Sequence, residues 1–475
     1  MLSNIDHIVV LMLENRSFDC MLGKLYPKSA NFEGLDGSEF NLDTNGAQVK
    51  VWNKPDTDEL NMTIPNPDPG ELWADINMQL FGISTIPTSQ DIPNMSGFVK
   101  NYLSQPASGQ KAESIMHYFT PDQVPVISTL ARQFAVCDHW HASAPCQTWP
   151  NRFFVHTGTA NGYENNAPAH FPYEMPTIYN RFEDAKIDNG WKIYFHDVPQ
   201  SLTLAKLLPH AGCFRFFEEF KHDAKNGTLP CYSFIEPRYF SDAALPNDQH
   251  PPHVVTLGEQ LIAQIYNCLR GGPAWTKTLF IITYDEHGGC YDHVPPPEAV
   301  PPSKTPSSPF NFDRYGVRVP AVIVSPYIKA GTVLRSSGQT PFDHTSIPAT
   351  VRKRFNLGDP LSDREAVAPD LSSVLSLSAP ENLGPETIEA LPFVASPSDV
   401  AEAQSAPLNN MQQRLVTLAQ HLPDTPATHD FTTFIQTHLN DLRNKKPPVP
   451  IDAATNIPDA VAFIKKRLSN LFGSL

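Results

Sequence analysis

The stretch 278–297, TLFIITYDEHGGCYDHVPPP, constrains this chain more than any other. Leu279 to Tyr284 is an unbroken run of bulky β-formers and reads as a strand buried on both faces. It leads straight into Asp285, Glu286 and His287, then turns on Gly288 and Gly289. Two adjacent carboxylates delivered to the end of a core strand are costly unless something cationic meets them. The architecture that answers this need is an open α/β sheet, where ligands bind beyond the carboxyl ends of strands. Taken alone, the same residues also fit a solvated turn.

A second strand of this kind opens the chain. Ile5 to Leu13 is apolar and ends in Glu14-Asn15-Arg16-Ser17. Glu14 and Asn15 offer hard oxygen donors, suited to a divalent cation; a plain strand-to-helix turn capped by Ser17 or Asn15 is the alternative. Further strands are expected at 134–140, 191–196, 231–236 and 317–325, with helices at 125–135, 202–208, 254–269 and from 342 to 355. Strands alternating with helices predict a doubly wound, mainly parallel sheet. Thr148, with Pro150 two residues on, marks a helix start and is expected as its N-cap. A helix N-terminus also attracts phosphate, so this hydroxyl can serve as a nucleophile or simply as a cap.

Residues 1–359 read as one catalytic unit. Within it 25–110 is a loop-rich excursion suited to a rim or lid. Residues 360–408, rich in Ser, Pro and Ala, read as a linker, and 409–475 as a helical C-terminal extension. The last helix, 460–475, carries Val461, Ile464, Leu468, Leu471 and Leu475 on one face, for packing on the catalytic unit or for contact with a membrane surface; Leu475 lies outside the residues the structure describes. The net charge of −15 argues against nucleic acid as a partner. Seven cysteines without a CxxC pair give neither a zinc framework nor a disulfide scaffold. No run of about 18 apolar residues predicts a transmembrane helix. The N-terminus lacks a basic start and an apolar core of its own, so a cytoplasmic, leaderless or already trimmed protein is expected.

Five motifs occur in order: ENRSFD at 14–19, TWPNR at 148–152, NDQHPP at 247–252, YDEHGGCYDHVPPP at 284–297 and FDHTS at 342–346. Together they resemble the bacterial phosphoesterase family of phosphatidylcholine-type phospholipases C and related acid phosphatases, over roughly residues 1–357. The resemblance implies a sheet like that of alkaline phosphatase and a divalent metal (Ca²⁺, Mg²⁺, Mn²⁺ or Zn²⁺) held by Glu14, Asn15, Asp285 and Glu286. It implies Thr148 as nucleophile, with His250, His196 and His287 among the catalytic residues and Asn15, Asn151, Arg152 and His344 touching substrate. Where many relatives carry His after a DPG sequence, Asp68-Pro69-Gly70 is followed here by Glu71, either a further metal ligand or a protonated acid. The implied activity is phospholipase C cleavage of glycerophospholipid through a phosphothreonine. A broad acid phosphatase acting on small phosphomonoesters and a non-catalytic phospholipid-binding protein are the alternatives. Peripheral membrane contact is compatible with the first and third.

Overall fold

The computed structural model describes residues 2–58, 62–85, 87, 91–167, 170–305, 310–428, 430–444 and 456–473. Its centre is an eight-stranded sheet. In chain order the strands are β1 (His7–Leu13), β2 (Ala135–Cys137), β3 (Trp191–Phe195), β4 (Phe214–Phe216), β5 (Tyr232–Glu236), β6 (Thr278–Tyr284), β7 (Ala321–Val324) and β8 (Thr332–Leu334). They lie side by side in the order β8-β2-β7-β6-β1-β5-β3-β4. β7 runs antiparallel to both neighbours; the other pairs are parallel. The expected α/β, mainly parallel sheet is therefore present.

β1 and β6 are the central pair. From Ile8 onward β1 is buried, as is all of β6, which is why both read as continuous apolar runs. They pair residue for residue, with Leu13 opposite Tyr284. Glu14 and Asp285 consequently leave the sheet side by side, and Asp285 N–H still donates to the Leu13 carbonyl. Asn15 then adopts φ +56° and Gly288 and Gly289 adopt φ +59° and +65°. A Cβ on Gly288 would stand 2.2 Å from the Asn15 carbonyl oxygen. Only glycine lets these two turns approach so closely.

The expected elements are found with shifted ends. The 317–325 strand shrinks to β7, since Pro320 has no N–H for a ladder; its carbonyl instead accepts from Thr283 Oγ1. The single strand expected at 134–140 is β2 followed by a separate pair, Trp140–His141 against Phe342–Asp343. The helix expected at 202–208 is a run of tight 3₁₀ turns that contains Pro209. β4 and β8, three residues each, have no signature in the sequence.

Residues 360–408 are a strap fixed to the body, not a free linker. Leu371, Val374 and Leu375 are buried in the same apolar core as the sheet. Fully buried Arg364 donates to the Ser143 carbonyl at 2.8 Å, and Tyr266 and Trp275 donate to the carbonyls of Pro385 and Leu383. The helical C-terminal region comprises Asn410–Gln420, Phe431–Asn444 and Ile457–Phe472. The last helix buries Ile457, Ala460, Val461, Ile464, Leu468 and Leu471. Phe472 at its end meets Phe195 and Phe214 at 5.9 Å between ring centres, closing over the β3–β4 edge. Its apolar face is therefore covered by protein. No helix among the described residues is long and apolar enough to cross a membrane.

The 25–110 excursion has a small core of its own, built from Leu35, Ile76, Leu80, Phe98, Tyr102 and neighbours that meet Tyr291 and Val317. It carries helices Trp73–Phe81 and Phe98–Ser104. Its consequence for function is the delivery of Asp68 and Glu71 to the ends of β1 and β6.

Candidate active site

Glu14, Asn15, Asp285 and Glu286 meet beyond the carboxyl ends of the two central strands, and all four are buried. Asn15 is the hub. Its backbone N–H donates to Asp285 Oδ1 at 3.1 Å, its Nδ2 to Glu71 Oε1 at 2.5 Å, and its Oδ1 accepts from Thr148 Oγ1 at 3.4 Å. The positive φ of Asn15 allows one residue to reach three ways. Asp285 Oδ1 accepts the Glu286 N–H, and Glu286 Oε2 the Gly288 N–H.

Thr148 is the first residue of helix Thr148–Thr157; Gln147 is the N-cap. The expectation that Thr148 caps the helix is thus corrected by one position. Its hydroxyl is not engaged by the helix backbone and faces Asn15. The free Trp149 N–H is met by Asn166 Oδ1 at 2.7 Å. Ser17 does cap, accepting from Cys20 N–H, while Ser143 donates to Asp343.

Arg152, one turn further along that helix, is fully buried and joins the two strand ends. Its Nη2 donates to Glu14 Oε1 at 3.0 Å and to the Met12 carbonyl; its Nε lies 3.4 Å from Asp285 Oδ2. Arg152, expected to touch substrate, clamps two carboxylates here, while its Nη1 is buried without a hydrogen-bond partner among the described residues. One guanidinium does not balance the cluster. Burial, then Glu14, push Asp285 up to about 7 against the pull of Arg152. Burial and Asp285 hold Glu286 well above the carboxylate range. Glu14 Oε2 and Glu286 Oε1 are buried and accept no hydrogen bond from the described residues. Orphaned carboxylate oxygens in an all-oxygen donor set fit a hard divalent cation, which would restore ionisation here.

His250, on the loop after β5, completes the group. Nε2 lies 3.1 Å from Asp68 Oδ2 and 3.5 Å from Glu71 Oε1, and Nδ1 lies 3.4 Å from Glu14 Oε2. Burial works against its charge, but Asp68 and Glu71 outweigh that, and the imidazole titrates well above its ordinary value. Glu71 is likewise raised well above its ordinary value, by burial first and against the pull of His250. Glu71 thus stands beside a protonated histidine and can act as ligand or as neutral acid. Asp68 was not singled out from the sequence for this role, although it lies in the Asp68-Pro69-Gly70 turn; a hidden partner 182 residues away gives no local signal.

Four expected residues do not face this cluster. Asn151 directs its amide to Ala144, Cys146 and Gln147, fixing the loop before Thr148. His344 has both ring nitrogens engaged, Nε2 with the Asp285 carbonyl at 2.6 Å and Nδ1 with Trp140 Nε1 at 3.3 Å. It sits behind Asp285, not before a substrate. His287 backs Glu286 at 3.1 Å and meets Gln79 Oε1 at 2.8 Å; burial lowers it to about 3 and keeps it neutral. His196 lies past the end of β3, stacked on Phe217 and bonded to the Glu236 carbonyl, in a separate cavity with Arg238 and Lys465. A second acid–histidine group, Asp19, Asp292 and His293, is already filled by the Arg318 guanidinium.

The sequence model of a family described as "Phosphoesterase family" matches residues 5–358. Non-specific phospholipase C6 of Arabidopsis thaliana is 39% identical over 436 residues, spanning 88% of this chain and 80% of that protein. Non-specific phospholipase C3 of the same plant is 36% identical over 442 residues, 88% of this chain and 82% of that protein. Phospholipase C A of Mycobacterium tuberculosis is 28% identical over 447 residues, 80% and 79% of the two chains. Among solved structures, a protein in the alkaline phosphatase superfamily from Vibrio parahaemolyticus is 11% identical at TM-score 0.32, over 52% of this chain and 63% of that one.

Proposed function

The chain belongs to the phosphoesterase family, a hydrolase acting on phosphoric ester bonds, and from that premise we propose that it is a metal-dependent phospholipase C working through a phosphothreonine at Thr148. The reading rests on one observation above the rest: a hydroxyl at a helix N-terminus, in one long 3.4 Å contact with Asn15 Oδ1, faces buried, under-neutralised oxygen ligands from two adjacent strand ends. The names of its relatives give it the lipid class.

Glu14, Asn15, Asp285 and Glu286, with Glu71 beside them, would hold the cation, which supplies a lowered pKa for the Thr148 hydroxyl and positive charge for the phosphoryl oxygens. Arg152 keeps Glu14 and Asp285 in register. With the cation bound, Thr148 would lose its proton to solvent; Oγ1 then attacks phosphorus while the bond to the glycerol oxygen breaks, and Oγ1 departs as the same alkoxide when water attacks. The Thr148 N–H, beside the Asn166-bonded Trp149 N–H and Pro150, would receive one phosphoryl oxygen, and Asn15 orients the attacking hydroxyl. Protonated His250 gives its proton to the departing diacylglycerol alkoxide. Neutral His250 then takes a proton from the water that cleaves the phosphothreonine and releases the phosphorylated head group.

The test is product analysis on phosphatidylcholine, together with turnover of p-nitrophenyl phosphorylcholine against p-nitrophenyl phosphate. Diacylglycerol and preference for the diester are expected. Preference for the monoester with no diacylglycerol would make the protein an acid phosphatase. Absence of turnover with any metal would leave only phospholipid binding.

A further inference from the structure

The chain that follows helix Thr148–Thr157 folds back onto the first turn of that helix. Asn166 N–H donates to Oε1 of the N-cap residue Gln147 at 3.1 Å, and Asn166 Oδ1 accepts the Trp149 N–H at 2.7 Å. Its neighbour Ala167 is tied down by Tyr173, whose hydroxyl donates to the Ala167 carbonyl at 2.6 Å. The Tyr173 ring in turn packs 4.7 Å from that of Phe153, on the same helix. Asn166 is thus held from two sides and is 2% exposed.

These contacts decide which way its amide faces. An N–H can be met only by an acceptor, so Oδ1 takes Trp149 and Nδ2 is the remaining arm. Nδ2 is buried and has no acceptor among the described residues. A planar amide keeps its oxygen and nitrogen about 2.2 Å apart, so Nδ2 stands within about 5 Å of the Trp149 nitrogen, at the helix end that presents Thr148.

The same helix end is short of donors for a phosphate. Trp149 N–H is occupied by Asn166, Pro150 has no N–H, and Asn151 N–H goes to the Gln147 carbonyl at 3.4 Å. Among the described residues the Thr148 N–H is the backbone donor left open there.

We propose that Asn166 Nδ2 supplies a second donor, hydrogen-bonding a non-bridging oxygen of the phosphoryl group as it passes to and from Thr148 Oγ1. A buried donor without an acceptor is costly until the oxygen arrives, and it gains most where that oxygen carries most charge. Asn166 then has two duties on one amide: Oδ1 caps the helix and Nδ2 touches the substrate. It recognises the phosphoryl oxygens and not the head group, so the same contact serves a diester and a monoester.

Asn166 acts on the group that the Thr148 reading brings to this helix, and the test keeps the two apart. The metal-loaded full chain is compared with Asn166→Asp and Asn166→Ala. Aspartate keeps an oxygen for the Trp149 N–H and suits a helix N-terminus, but it has no N–H to give; alanine loses both. A residue that only caps is rescued by aspartate, whereas a lost donor is not. The kcat/KM for p-nitrophenyl phosphorylcholine should fall about 10²-fold in both variants, while the urea midpoint should fall in Asn166→Ala alone. Orthovanadate, a mimic of five-coordinate phosphorus, should bind both variants more weakly than the unaltered protein, read by inhibition and by calorimetry. Sulfur at a non-bridging position accepts hydrogen bonds poorly, so the penalty for a phosphorothioate diester should shrink in the variants for one configuration at phosphorus and not for the other. Asn166→Asp turnover within threefold of the original, or vanadate binding that ignores both substitutions, overturns the donor role while the Thr148 reading stands. Vanadate that fails to bind the unaltered protein, together with absence of turnover, brings down the Thr148 reading and Asn166 with it.

Discussion

Replacing Thr148 by Val removes one oxygen at nearly constant shape, and the structure separates its two consequences. Had Thr148 been the N-cap, the loss would cost about 0.5–2 kcal/mol of stability. It is instead the first helical residue, and its hydroxyl makes a single long contact, 3.4 Å to Asn15 Oδ1. The stability cost should therefore stay below about 1 kcal/mol. Turnover should fall far more, by about 10³-fold or beyond, which corresponds to about 4 kcal/mol of barrier. Urea unfolding of both proteins measures the first quantity; diacylglycerol release under saturating metal measures the second. Acid quench during turnover should trap phosphate on the Thr148 peptide of the unaltered protein. Turnover of the Val variant within tenfold of the original, or net inversion with a substrate chiral at phosphorus, would refute covalent catalysis and leave Thr148 a helix-start residue.

Three further outcomes follow from the same geometry. Glu14→Gln and Asp285→Asn should each lower bound metal and activity together, as read by equilibrium dialysis with elemental analysis; full metal content in both would remove these residues from the ligand set. His250→Gln should slow the first turnover of phosphatidylcholine much more than the pre-steady-state burst of nitrophenolate from p-nitrophenyl phosphorylcholine, because nitrophenolate leaves without a proton and an alkoxide does not; equal losses in these first-step rates would exclude His250 as the acid. His293 Nδ1 lies 2.6 Å from Asp19 Oδ2; burial opposes its charge, Asp19 outweighs burial, and it titrates at about 9 instead of 6.5. A folded-state value above the unfolded one means its contribution, roughly 3 kcal/mol at most, is complete below pH 6.5 and fades as pH rises towards 9. Urea unfolding at pH 6 and pH 9 should show a smaller drop for His293→Gln; the same drop in both proteins would contradict the pairing.

Much of the site was legible because strands announce their ends. β1 from Ile8 onward and all of β6 are buried, so each is an apolar run, and the polar residues that stop it must lie at the sheet's carboxyl edge. That ground puts Glu14, Asn15, Asp285 and Glu286 each at a strand end; their meeting in one site was implied by the family resemblance, and the pairing of β1 with β6 brings it about. The Gly288-Gly289 turn and the start of the Thr148 helix are equally local, since φ and helix initiation are set within a few residues. What each side chain faces is not local. His344 and Asn151 carry the right chemistry in the right motifs, yet one supports the Asp285 backbone and the other the 144–147 loop. Arg152 finds Glu14 across 138 residues and His250 finds Asp68 across 182, distances at which neither periodicity nor spacing carries information. Residues 360–408 look like a linker because Ser, Pro and Ala resemble exposed chain; their attachment comes from backbone carbonyls meeting Tyr266 and Trp275, and composition does not encode that. Sequence determined which groups stand at the strand ends, because burial writes itself into the pattern; only the fold decided which of them face the open site, because orientation depends on partners brought from elsewhere in the chain.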